Sequence, residues 1–227
     1  MQDEGKQLRI AGYAGIVFSV LSLIVLPAVV PVGPPALGGE GSAFVRWFAA
    51  HGRGFLWGNY LGIVAFVPGF VQLAILGARV KRKDDPHGFL GSLVLSTGTF
   101  AYSVFACSLV VFQVLPFLAQ PRLEGGMEVM GSLAQVWFAL DGLVAVPLVL
   151  AVAWAALGVK DVLPRAFGYA SVAVALLLLF GSFGSMTTTP TWLGAGGALT
   201  GLAFVALFGW TFALAVISLR QARSAKR

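Results

Sequence analysis

The chain has 227 residues, of which 58% are hydrophobic and only 11% charged, with a mean hydropathy of +0.89. That balance excludes a water-soluble domain of this length, because the apolar residues recur in long blocks from Ile10 to Leu219 and leave no stretch large enough for a separate soluble unit. The formal charge of +6 does not signal nucleic acid, since the basic residues sit in short runs between apolar blocks, and the single cysteine, Cys107, excludes an intrachain disulfide or a thiolate metal cluster.

A hydrocarbon core of about 30 Å requires about 20 apolar helical residues at about 1.5 Å each. Six segments meet that requirement, at 10–32, 55–78, 88–117, 129–158, 166–185 and 193–219. They predict an all-α, membrane-embedded six-helix bundle with short loops, forming one transmembrane domain over 1–227. The first run follows the polar stretch Met1 to Arg9 as a signal peptide would. It continues uncharged to Gly39, however, and no A-x-A-like site falls near Pro27 to Val32, so it reads as a span. Ala11, Gly15 and Ser19 form a small-residue ridge on it, of the kind that lets helices approach closely in lipid.

Beyond the Pro/Gly stretch 33–41, Ser42 can cap a short helix running to His51. Phe44, Trp47 and Phe48 share one face of it, with Arg46 and Arg53 toward water, which predicts an interfacial helix on the outer leaflet. His51 and Arg53 are its candidate contacts for an anionic headgroup, and the same segment could act as a lid over a bundle opening.

The second span carries the ridge Gly58 and Gly62 and ends in Arg79, Lys81, Arg82 and Lys83. Gln72 in it and Gln113 in the third span are expected to bond between helices. Asp141 is the one charged residue inside a predicted span, 13 residues after Glu128 and 19 before Lys160, which places it within about 5 Å of the midplane. A carboxylate there must face the bundle or a water-filled cavity, or carry a proton. No Lys, Arg or His matches its depth, so hydroxyls, amides, water or a ligand must partner it. Thr99 and Tyr102 of the third span are the expected partners. Trp137 and Phe138 lie four and three residues before Asp141, on its helix face, and complete the candidate ligand-binding set.

The charge-free run 166–219 is too long for one crossing, and the polar, Pro-containing patch 186–192 divides it into a hairpin. Gly181 with Ser185, and Gly197 with Gly201, form further small-residue ridges. Leu90-Gly91 and Thr97-Gly98 match Leu193-Gly194 and Thr200-Gly201 at an offset of 103, the trace expected of an inverted three-helix repeat.

With the N-terminus inside, twelve of the 15 basic residues fall in cytoplasmic segments and only Arg46, Arg53 and Arg122 outside. The positive-inside rule therefore puts both termini in the cytoplasm. Trp57, Tyr60 and Trp192 then mark the outer boundary, and Tyr13, Trp154 and Tyr169 the inner one.

His51 and His87 fall on opposite sides, and H-E-x-x-H, C-x-x-C, P-loop and G-x-S-x-G motifs are absent, so no metal or cofactor is expected. The chain resembles a loose family of uncharacterised bacterial six-helix integral membrane proteins, a domain of unknown function. The likeness rests on Ala11-Gly-Tyr-Ala-Gly-Ile16, on Phe48-Ala-Ala-His-Gly-Arg53 leading into a Gly/Tyr-containing helix, on the basic closure Arg79 to Lys83, and on Val162-Leu-Pro-Arg165. It implies a bacterial cytoplasmic membrane location and supplies no activity or site residues.

Three functions fit this inventory: binding or transport of a small or lipophilic solute through a bundle pocket near Asp141; a noncatalytic membrane partner, assembly subunit or homo-oligomer; and an enzyme using Asp141 as general acid on a lipid or isoprenoid-like substrate. The lipid bilayer is the partner common to all three.

Overall fold

The computed structural model describes residues 2–29, 40–83, 88–186 and 197–224. Among them lie six long helices: α1 (Gln2–Val29), α2 (Gly41–Lys83), α3 (Phe89–Phe112), α5 (Glu124–Gly158), α6 (Arg165–Ser182) and α7 (Ala198–Ser224). A one-turn helix, α4 (Leu115–Leu118), and 3-10 turns at Pro121–Leu123 and Phe183–Met186 complete the described elements. The predicted third span is broken at Gln113 and Val114, where Pro116 removes a backbone donor and disfavours continued helix before it. His87, the stretch 33–39 and residues 187–192 of the hairpin patch lie outside the described residues. The chain does leave helix between α6 and α7, as that patch requires.

Each long helix packs against its sequence neighbour, and α7 closes back on α1, so the six form a ring in the order α1, α2, α3, α5, α6, α7. Close approach at glycines sets that ring. A Cβ on Gly12 would strike Leu219, and one on Gly15 would strike Gln72 and Ala215, so the predicted ridge of α1 is wedged between α2 and α7. Ser19 Oγ lies 2.9 Å from Thr211 Oγ1, joining the same helices. Hydrogen bonds from Trp210 Nε1 to Ser171 Oγ (2.8 Å) and from Thr200 Oγ1 to Gly181 O (3.1 Å) tie α7 to α6. Such bonds each contribute about 0.6 kcal/mol in a membrane, beside the close packing of the helices. Gly201 is different: no described residue lies within 4 Å of its Cβ position, whereas at Gly98, which the 103-residue offset pairs with it in sequence, a Cβ would strike Leu73.

The lengths of α2 and α5 decide the shape at one end. A helix of 43 residues extends about 65 Å, and at a tilt of 40° it still covers about 50 Å along the normal, so part of α2 must leave a core of about 30 Å. The predicted interfacial helix is therefore not a separate element; 41–55 is helical but continues α2 without a break. Its register is held by α5: Gly41 abuts the Glu124 backbone, and the Phe44 ring lies on Gly131. Phe44 and Phe48, expected to face lipid, are buried in protein instead, while Arg46 and Arg53 are exposed as expected.

Spin labels provide a check. Labels at positions 46, 49, 50 and 53 are expected to be mobile and water-accessible, and those at 45, 48 and 52 immobilised. Lipid accessibility at 44, 47 and 48 alternating with water accessibility at 46 and 53 would restore the interfacial helix.

The six long helices are long and apolar enough to cross a membrane, and the chain is a multi-pass, all-α transmembrane protein.

Candidate functional site

Asp141 is 3% exposed and faces α3, as a carboxyl among spans must if it is to avoid lipid. Its partner is neither Thr99 nor Tyr102. Thr99 points out of the bundle and is exposed, and the Tyr102 ring sits within 5.6 Å of the rings of Phe18, Phe66 and Phe70. The group that meets Asp141 is Ser108, whose Oγ lies 2.9 Å from Asp141 Oδ1 and 2.9 Å from Val104 O. A hydroxyl has one hydrogen and two lone pairs. Against an ionised carboxylate, Ser108 can satisfy one of the two acceptors. Both contacts become hydrogen bonds only when the carboxyl donates to Ser108 Oγ, whose own hydrogen goes to Val104 O.

The depth of this pair follows from the exposed Phe89 and Trp154 rings, 6.1 Å apart, which mark the membrane boundary at the basic end. Asp141 is 13 residues from Trp154, about 20 Å, and Ser108 is 19 from Phe89, about 28 Å along its helix. The pair therefore lies beyond the midplane, away from the basic end.

Eight rings fill the interior of the bundle around the layer of this pair, Phe18, Phe66, Phe70, Tyr102 and Phe105 on its basic side, Phe208 near its level, and Phe138 with Phe204 about one turn from Asp141 in the other direction, with neighbouring centroids 4.2 to 6.2 Å apart. Phe138, expected to share a site with Asp141, stacks on Phe204 at 4.2 Å, and Trp137 is half-buried against the core. Both act as packing at the edge of the Asp141 layer.

The residue that sequence reasoning missed is Asn59. It is fully buried, and neither Nδ2 nor Oδ1 has a hydrogen-bond partner among the described residues. Its register follows from two pairs: Gln113 Nε2 donates to Leu56 O (3.4 Å), and Phe66 meets Phe105 at 6.2 Å. Interpolating, Ser108 is level with about residue 62 of α2, so Asn59 lies within about one turn, or 5 Å, of the Ser108–Asp141 layer. The signal was present in the sequence, since Asn59 is the chain's only asparagine and falls inside a predicted span.

No protein-family model, curated protein or solved structure matches the chain.

The basic end holds a second polar constellation. Arg79, read from sequence as a topology residue, is buried; its Nε donates to Glu4 Oε1 (3.1 Å), Nη1 to Val162 O (2.8 Å) and to Gln221 Oε1, and Nη2 to Asp161 O (3.0 Å). Lys83 Nζ also reaches Asp161 O (2.9 Å), holding Asp161 at a φ of 60°, uncommon for a residue with a side chain. One guanidinium thus joins α1, α2, the α5–α6 turn and α7. Beside it, a cavity of about 420 Å³ is lined by Lys160, Asp161, Arg165, Gln221 and the end of α5.

At the opposite end, His51 is engaged locally: Nδ1 lies 3.0 Å from Trp47 O, and its ring stacks on Trp47 at 5.0 Å. Arg53 instead lines a cavity of about 410 Å³ with Leu56, Trp57, Tyr60 and Gln113. The described structure thus separates the outer candidates from the Asp141 layer and does not gather them into one site.

Proposed function

We propose that this protein binds a small hydrogen-bonding solute within the membrane at the layer of Asn59, Ser108 and Asp141, as a carrier or transporter of the cytoplasmic membrane with both termini inside. The observation that carries this reading is the buried Asn59 amide. An amide kept from water without partners costs about 1–3 kcal/mol, and such groups persist where they serve a ligand or a conformational change. Within about one turn of its level stands a carboxyl bonded to Ser108, whose bonds to Asp141 and Val104 reorganise on gain or loss of a proton. That pairing suits a solute whose entry is coupled to proton movement. The aromatic layer on the basic side fits a site closed toward that end.

The test uses the purified protein in lipid nanodiscs and follows thermal unfolding against a panel of small amides, carboxylic acids, amines and polyols. A solute of one class is expected to raise the melting temperature of the wild-type protein. Asn59→Leu is expected to be more stable than wild type by about 1–3 kcal/mol, since an apolar side chain of similar volume removes both orphaned atoms, and to lose the solute shift. Asp141→Asn keeps an acceptor for Ser108 and is expected to fold normally while weakening solute binding at least tenfold. Loss of stability in Asn59→Leu, or solute shifts unchanged in both variants, would overturn the proposal.

The partner-subunit reading has its own support. Val129 and Leu133 are exposed on the part of α5 that lies about 31–37 Å from Trp154, at and beyond the far membrane boundary. A panel without any stabilising solute favours that reading.

A further inference from the structure

We infer that the cavity lined by Arg53, Leu56, Trp57, Tyr60 and Gln113 binds the headgroup of a phospholipid bearing an N–H or O–H donor, in the leaflet opposite the basic end. Its depth is that of headgroups. Tyr60 is 19 residues from Arg79, about 28 Å along α2, so Trp57 and Tyr60 stand one hydrocarbon thickness away from the basic end. The two rings meet edge to face at 6.0 Å and are 66% and 54% exposed, the arrangement of an aromatic belt rather than of a core. Arg53 lies one turn further out, exposed and without an ion pair among the described residues. A guanidinium there is placed for a phosphate, whose planar oxygen pairs it matches.

Gln113 adds selectivity. Its Nε2 donates to Leu56 O, which places the amide nitrogen and leaves Oε1, shielded from water, with no donor among the described residues. The Gln113 side chain lines the cavity, and a turn of its amide that brings Oε1 to the cavity surface lets a donor held beside the Arg53-bound phosphate satisfy it. An ethanolamine ammonium or a glycerol hydroxyl carries such a donor, and a choline trimethylammonium does not. The exposed ring pair gives the glycerol backbone and the upper acyl chains an apolar seat that a free anion would not use.

Native mass spectrometry of the full-length protein, released from detergent with defined lipids, tests this. Phosphatidylethanolamine and phosphatidylcholine are both zwitterionic and differ in the donor, and phosphatidylglycerol adds a hydroxyl donor with net charge. Wild-type protein is expected to retain the ethanolamine and glycerol lipids at least fivefold over the choline lipid. Gln113→Leu is expected to abolish that preference while keeping total lipid binding, and Arg53→Gln to reduce all three about tenfold. Equal retention of the three lipids by wild type, or binding unchanged in Arg53→Gln, overturns the inference. Competition by glycerol phosphate at the concentrations at which the lipids bind would identify a free-anion site and overturn it equally. The solute panel reads Asn59 and Asp141, so the two outcomes are independent.

Discussion

Replacing Arg79 with methionine is expected to lower the unfolding free energy by about 3 kcal/mol, measured by denaturant titration of the purified protein in mixed micelles. The substitution keeps an unbranched side chain but strips donors from four acceptors at once: the Glu4 carboxylate, the carbonyls of Asp161 and Val162, and Gln221 Oε1. Asp161 O keeps a bond from Lys83 and Val162 O one from Gln221 Nε2, so the loss comes from four charge-assisted bonds broken together and from Gln221 Oε1, which loses its donor, and it exceeds that of a single hydrogen bond. Glu4 is 38% exposed and can turn to water, so the two carbonyls and Gln221 dominate the effect. Arg79→Lys is expected to recover less than half of the loss, because an ammonium is a point charge that cannot span α1, the α5–α6 turn and α7 as the guanidinium fork does. Full stability in Arg79→Lys would mean that charge alone matters and that the fork geometry does not.

A second large effect is expected at Gly91, where α2 and α3 meet near the basic end. A Cβ there would press on Lys81 N and Gly77 O, which are backbone atoms, and Gly77 faces Gly91 in return. No flexible side chain can yield, so the helices themselves must separate. Gly91→Val is expected to cost about 3 kcal/mol, at the upper end of overpacking effects, and to lower the yield of folded protein. Gly201→Ala serves as the control, since no described residue lies within 4 Å of its Cβ position, and is expected to stay within about 0.5 kcal/mol of wild type. Comparable losses at both glycines would point to a general requirement for glycine in these spans rather than to the close crossing of α2 and α3.

The sequence by itself determined the six spans, because length and hydropathy are local properties and every crossing must satisfy its own backbone in lipid. The grouping of basic residues at one end was equally legible, and the convergence of Arg79, Lys83, Asp161 and Gln221 there agrees with it. Asp141 stood out because it is the one charge within a predicted span, and its burial followed from the cost of exposing it to hydrocarbon.

Tertiary structure alone decided what these groups meet. Whether Thr99, Tyr102 or Ser108 faces Asp141 depends on the rotation of α3 about its axis, which a helix with apolar residues all round and hydroxyls scattered among them does not encode. Tyr102 was claimed by the aromatic layer, and Ser108 took the position six residues further along. The outer amphipathic segment could lie on a membrane or extend a helix with the same periodicity. The facing glycine on α5, Gly131, made it an extension by giving Phe44 a place to pack. Arg79 reads as a topology charge in any sequence of this kind. Its role as a four-acceptor hub arises only where α1, the α5–α6 turn and α7 converge on one guanidinium, since hydrogen bonds between segments far apart in the chain leave no periodic trace in the sequence.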